Sequence, residues 1–239
     1  HDYSRTNRTV YVEPMAVVNE NNALNQIKAQ ILEEEHKVLR DLTSLVHGHT
    51  GEIRENLSTY GRLDLLAASA RWAARSGAVI PAIGGEEMNL MGARHPILLE
   101  RLGTRATVPL DIRIPRGRDC LIITGPNAGG KTVALKTLGL LILMAKSGLA
   151  IPARKDSTVT PVGSVWVEMD TNQDITHDLS SFTAHALSLK GIYEHAGPGD
   201  LVLLDEPGTG TDHEQGGALA VSCIHALRNK GATVVVTSH

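Results

Sequence analysis

Cysteine is scarce: Cys120 and Cys223 are the two in 239 residues. Both sit in apolar segments, with neither the density of a disulfide scaffold nor the paired spacing of a metal knuckle. A stapled secreted fold and a zinc module are therefore not expected, and a reducing cytoplasm fits. A basic surplus is also missing, since 23 Lys and Arg face 26 Asp and Glu for a formal net charge of -3. Electrostatic nucleic-acid binders carry the opposite balance, so any such contact is expected to be local or to lie outside this chain. No apolar run approaches the roughly 18 residues of a membrane span, and no charged-then-apolar leader opens the chain. Internal repeats and low-complexity stretches are absent as well. The sequence opens on His1 rather than Met and stops soon after a predicted strand ending at Val236. Both features lead us to expect a piece of a longer protein, with a further helix or strand beyond the carboxyl end.

What is present is globular: 42% hydrophobic and 21% charged residues in a length that suits one large domain, or one domain with an appendage. Apolar residues at Val17, Leu24, Ile27, Ile31, Val38, Leu42 and Leu45 recur at steps of three, four or seven and predict one long helix over 14–46. At 1.5 Å per residue it would be about 50 Å long and would project from a small core. Gly48 and Gly51 interrupt the pattern, and Ile53, Leu57, Tyr60, Leu63, Ala67, Ala70 and Ala74 resume it until Gly77. Residues 1–80 are thus expected to hold a helical hairpin that buries its apolar seam. From there the texture changes. Short aliphatic runs at 108–114, 121–124, 165–169, 201–204 and 233–236 read as strands, with helical patterns at 132–145, 182–196 and 214–229 between them. Buried strands alternating with helices predict an α/β domain over 81–239 around a largely parallel sheet.

Gly125-Pro-Asn-Ala-Gly-Gly-Lys131-Thr132 follows the strand run 121–124 and opens the next helix, which matches the eight-position phosphate-binding loop in its required setting. Glycines at 125, 129 and 130 let the backbone curl so that successive N–H groups face one anion, and the helix adds its positive end. Lys131 would neutralise β- and γ-phosphate charge. Thr132 would ligate Mg²⁺, a hard cation that takes few protein oxygens.

Further along, the aliphatic run 201–204 ends in Asp205-Glu206, two carboxylates at the carboxyl end of a strand, where α/β sheets bind ligands. Asp205 would hold the magnesium shell and Glu206 would face an attacking water as general base. Lys131, Mg²⁺ and two carboxylates together point to nucleoside-triphosphate hydrolysis. Ser180, in Leu179-Ser-Ser-Phe182, is either a helix cap or a hydroxyl and N–H offered to a phosphate. His239 follows Thr237-Ser238, either as an ordinary surface histidine or as an imidazole within reach of a γ-phosphate.

Together these segments resemble the ATPase domain of the MutS family, in its bacterial type-two branch, which suppresses recombination rather than repairing mismatches. The match spans nearly the whole chain. It rests on Arg94-His-Pro96, the run 124–136 around Lys131, Ser147-Gly-Leu-Ala-Ile-Pro-Ala153, Gln173, Leu179-Ser-Ser-Phe182, Leu203-Leu-Asp-Glu206, Gly208-Thr-Gly-Thr-Asp212 and Thr237-Ser-His239. The amino end, with Thr9-Val-Tyr-Val-Glu-Pro14 and the long acidic helix, looks like the type-two core just before its ATPase.

The resemblance implies a P-loop ABC-type ATPase that works as a homodimer with ATP and Mg²⁺. Gly125, Pro126, Asn127, Ala128, Gly129, Gly130, Lys131, Thr132, Val133 and Gln173 would contact the nucleotide from one subunit, and Ser180 would do so from the other. Thr132 and Asp205 would be the metal ligands, with Glu206 and His239 catalytic. Branched DNA or recombination intermediates, reached through the full-length protein, are the implied partners; stalled ribosomes are a further one, and a membrane is not. The mismatch-reading module is not in this chain, whose single Phe, Phe182, lies in the ATPase region. A carboxy-terminal nuclease domain is absent too, so endonuclease activity is not expected of this segment. The rival reading is another ABC-type ATPase, such as a chromosome-maintenance protein or a transporter subunit. A transporter would be expected to carry a glycine-rich signature, which is missing here.

Overall fold

The computed structural model describes residues 2–3, 10–11, 14–85, 87–115, 117–126, 129–169, 181–209 and 212–238. The chain divides into two compact units, His1–Leu65 and Leu66–His239. In the first, β1 (Asp2–Tyr3) and β2 (Val10–Tyr11) pair antiparallel. A short 3-10 turn at Met15–Val17, entered from extended Pro14, leads into helix α1 (Val18–Gly48). After His49 comes α2 (Thr50–Ser76), whose Thr50 hydroxyl donates to His47 O at 2.8 Å.

The two predicted helices are therefore there, but the buried seam is not. Neither helix contains a buried residue, and Leu24, Ile27, Ile31, Val38, Leu42 and Leu45 are 48% to 63% exposed. Periodicity marks which side of a helix is apolar; it does not say that the covering partner belongs to the same stretch of chain. Among the described residues no helix is long and apolar enough to cross a membrane.

The second unit is built on a four-stranded parallel sheet of β6 (Cys120–Thr124), β10 (Thr233–Ser238), β9 (Leu201–Asp205) and β8 (Val165–Glu168), in that spatial order. Its central strands are apolar on both faces, as a sheet covered twice requires. Leu201, Leu203 and Val235 join one core with Leu135, Leu138, Leu141 and Ile142 of α4 (Lys131–Lys146). Val202, Leu204, Val234 and Val236 join the other. There they meet Leu189 and Ile192 of α5 (Ser181–His195) and Leu227 of α6 (His213–Asn229). Close approach on the first face needs a small residue. A Cβ on Gly139 of α4 would fall 2.6 Å from Leu203 Cδ1.

A second sheet extends the first core. Its order is β3 (Ala82–Ile83), β7 (Thr158–Val159), β4 (Glu87–Ala93) and β5 (Leu110–Pro115), with β4 and β5 antiparallel around an irregularity between Leu90 and Ala93. Between those two strands runs α3 (Pro96–Ala106), entered through Pro96 at its first turn and broken by Gly103 at φ 76°. Strand β4 and helix α3 escape the sequence reading, because Gly92 and Gly103 interrupt both periodic patterns.

Asp200 ties the amino ends of β8 and β9 together, accepting from Ser164 N at 2.7 Å, Trp166 Nε1 at 3.0 Å and Gly197 N at 3.0 Å. Burial pushes its carboxyl up, but these donors and Lys146 more than offset that and hold it below the ordinary carboxylate range.

Candidate functional site

Parallel strands bring their carboxyl ends to one edge, and the register sets which side chains meet there. Thr237 of β10 pairs with Asp205 of β9, and Ser238 pairs with Thr124 of β6. Beyond Thr124 the chain turns back, Gly129 N donating to Pro126 O at 2.9 Å, and reaches α4 through Gly130 in a left-handed conformation, φ 81°. A side chain at 130 would be strained there, whereas glycine adopts it freely. Gly130 at the N-cap has no side chain to cap α4, and the helix begins there with its positive end.

Lys131 opens that helix and is only 5% exposed. A buried ammonium needs partners. Its Nζ donates to Gly125 O at 2.7 Å and lies 3.2 Å from Glu206 Oε1. One residue on, Thr132 Oγ1 donates to Asp205 Oδ1 at 3.2 Å. Asp205 Oδ1 also accepts from Thr237 Oγ1 at 2.5 Å, and that hydroxyl in turn accepts from Glu206 N at 3.0 Å. Thr237 O takes the same N–H at 3.2 Å. Glu206 is the one described non-glycine residue with positive φ, 49°. Its backbone leaves the strand in a conformation that costs an L-residue about 1–2 kcal/mol, and the side chain is swung toward Lys131.

The arrangement offers one ammonium, a helix N-terminus and two carboxylates around a glycine-rich turn. Thr132 and Asp205 present two hard oxygens 3.2 Å apart, a donor pair that suits a hydrated Mg²⁺. Among the described residues no cluster of three or more His, Cys, Asp or Glu forms a metal cage.

Of the residues singled out from sequence, Gly125, Pro126, Gly129, Gly130, Lys131, Thr132 and Val133 fall in one turn and helix start, beside Asp205 and Glu206. Asn127, Ala128, Gln173, Ser180 and His239 lie outside the described residues. Two polar residues were missed. Thr237, fully buried, links both carboxylate positions, and its signal was its place one strand over at the same height as Asp205. Glu168, 7% exposed at the end of β8, is the other. His95, from Arg94-His-Pro96, stands at the N-cap position of α3, without a side-chain cap hydrogen bond, beside Lys136 and Leu140 of α4. Burial, then Lys136, hold its imidazole below the ordinary range.

A family model described as MutS domain V matches residues 121–239. Over 240 aligned positions the chain is 43% identical to the protein called Endonuclease MutS2 from Pelotomaculum thermopropionicum, and 42% to that of Carboxydothermus hydrogenoformans. Identity to the Acetivibrio thermocellus protein of the same name is 39%. Each match covers all of this chain and 30% of the relative.

The chain belongs to the MutS family. Its relatives place it on the MutS2 side, as a stretch of a longer protein. The MutS domain V match begins at Leu121 in β6 and takes in the 125–132 turn, both carboxylates and Thr237, so the whole edge described above lies inside it. Residues 1–120 of this MutS-family chain are related through the whole-chain similarity.

Proposed function

We propose that residues 81–239 form a P-loop ABC-type ATPase domain that binds ATP with Mg²⁺ and hydrolyses it to ADP and phosphate. Residues 1–80 would be the end of the core and lever region of the same protein. The observation that carries this reading is the convergence of Lys131, Thr132, Asp205 and Glu206 at one sheet edge, each in contact with another at 3.2 Å. Phosphate entering the turn takes Lys131 Nζ over from Gly125 O and Glu206 Oε1 and meets the N–H groups at the start of α4. Glu206, released from the lysine, orients and deprotonates the attacking water. Thr132 and Asp205 hold Mg²⁺, whose chemistry when bound is to neutralise charge on the phosphates. Thr237 keeps the Asp205 carboxylate turned toward Thr132. Gln173 and His239 belong to the same site by resemblance, and Ser180 completes the partner subunit's site in a homodimer.

In the full-length protein this module would drive a cytoplasmic DNA-binding machine that acts on branched DNA and suppresses homologous recombination, with stalled ribosomes as a second class of target. The relatives' name includes endonuclease. We assign any such activity to chain beyond these residues.

A paired measurement tests the site. Lys131→Ala should lose ATP affinity by about tenfold or more in calorimetry, since a charge-assisted hydrogen bond in a partly buried site contributes about 1.5–3 kcal/mol. Glu206→Gln should bind ATP at least as tightly as the parent, because the lysine is no longer held by a carboxylate, while turnover falls about 10²- to 10⁴-fold. Unchanged affinity in the first variant, or near-parental turnover in the second, removes that residue from its role.

A further inference from the structure

The left-handed backbone of Glu206 persists only if its surroundings over-determine it, since a residue with a Cβ would otherwise relax out of that conformation. On its amino side the constraint is β10, where Thr237 takes the Glu206 N–H through both its hydroxyl and its carbonyl. On its carboxyl side the hydrogen bond of the turn is long, Thr209 N donating to Glu206 O at 3.3 Å. Helix α6 supplies the firmer hold. Gly208, at φ 94°, rests on the backbone of Gly216, where a Cβ would fall 2.7 Å from the carbonyl carbon and 3.0 Å from Cα. Only a residue without a side chain makes that approach. Gly216 is buried near the start of α6, and its N–H donates to Asp212 O at 2.8 Å. The helix end that receives the turn is itself fixed, with the Asp212 carboxylate accepting from Glu214 N at 3.2 Å. Further along α6, Leu227 is fully buried in the second core. At the other end of the turn stands the Glu206 carboxylate, Oε1 at 3.2 Å from Lys131 Nζ.

We infer that Gly208 is a positioning residue for Glu206: seated on Gly216, it fixes the turn that sets the carboxylate beside Lys131. The inference rests on the reading of Glu206 as the group that activates water, and it adds that α6 determines where that group stands. Gly208 would touch neither nucleotide nor metal. Lys131 and Thr132 reach the site from α4, and Asp205 from β9. Displacing the 206–208 turn would therefore leave ATP binding as it is and cost turnover alone.

A double-mutant cycle in the full-length protein tests this, with single-turnover hydrolysis and calorimetric ATP affinity read on every variant. Gly208→Ala should bind ATP within about twofold of the parent and hydrolyse it about 10- to 100-fold more slowly, the scale of a misplacement of about 1 Å. In a Glu206→Gln background the same alanine should slow hydrolysis by less than about twofold, because the group it displaces is no longer a base. A merely structural loss would lower both backgrounds alike. Should Gly208→Ala not fold, Pro207→Gly takes its place in the cycle: it adds no atom and loosens the link between Glu206 and Gly208, and its loss should again be confined to the parental background. Equal losses in both backgrounds, parental turnover of the substituted turn, or ATP affinity that falls together with turnover overturns the positioning role; a slow Glu206→Gln then leaves the base reading standing. Near-parental turnover of Glu206→Gln alone overturns the base reading and the inference with it.

Discussion

At the scale of single residues, the polar edge depends on a hydroxyl that carries no charge. Thr237 donates to Asp205 and accepts from the Glu206 backbone, so one side chain orients the carboxylate beside Thr132 and anchors the peptide that turns Glu206 out of its strand. Removing the hydroxyl takes one hydrogen bond from the half-buried Asp205 carboxylate and one from the Glu206 N–H, leaving them with Thr132 and the Thr237 carbonyl alone. We expect Thr237→Val to cost about 1–3 kcal/mol in urea unfolding and to slow ATP hydrolysis. Thr237→Ser should stay close to the parent in both measurements, because the serine hydroxyl reaches the same two atoms. A valine variant with parental turnover would show that Asp205 is oriented without it. The charged members of this edge were readable from sequence, since Lys131 and Asp205-Glu206 stand in recognisable surroundings of glycine and aliphatic runs. Thr237 was not, because its importance comes from strand register. It matters by lying opposite Asp205.

At the scale of elements, the best-read parts are those whose pattern and burial agree. The run 201–204 is apolar throughout, and all four positions are fully buried between two cores. Helices α4, α5 and α6 begin and end within a residue or two of where periodicity places them. The second sheet was less legible: β3 and β7 are two residues each, too short for any alternation to register. The α1 stripe was legible as a stripe and misread as a seam, for the reason given above. The α4 and β9 contact supplies a test at this scale. Gly139→Ala should lower stability by about 1–3 kcal/mol, the cost of overpacking a filled core, read as a fall in the thermal midpoint. Adding Leu203→Val, which withdraws the Cδ1 that the new methyl would strike, should recover part of the loss. Additive effects of the two substitutions would mean that they do not share one space.

At the scale of the whole chain, charge and surface decide what the piece can do alone. Its net charge of -3 offers no broad positive field to a polyanion. Residues 1–239 by themselves should therefore bind branched DNA no better than a non-specific contact, with a dissociation constant of about 10⁻⁴ to 10⁻⁶ M at physiological salt. Fluorescence anisotropy across a salt series measures this. Tight binding with a steep salt slope would instead locate a DNA-contacting face within this chain, the first suspects being the arginines between Arg94 and Arg118. The ATPase reading would be untouched by that result, since Lys131 and the two carboxylates serve a different anion.

The backbone at Glu206 has a consequence for how such a chain can be improved. Among non-glycine residues described here, it alone holds a left-handed turn. A glycine at 206 would relieve about 1 kcal/mol of local strain and lose the carboxylate. The same change would also take the carboxylate from the buried Lys131 ammonium, a loss that outweighs the strain relieved. A library sorted only for survival on heating would thus keep Glu206 for its ion pair, and heat resistance in this chain has to be sought away from this edge.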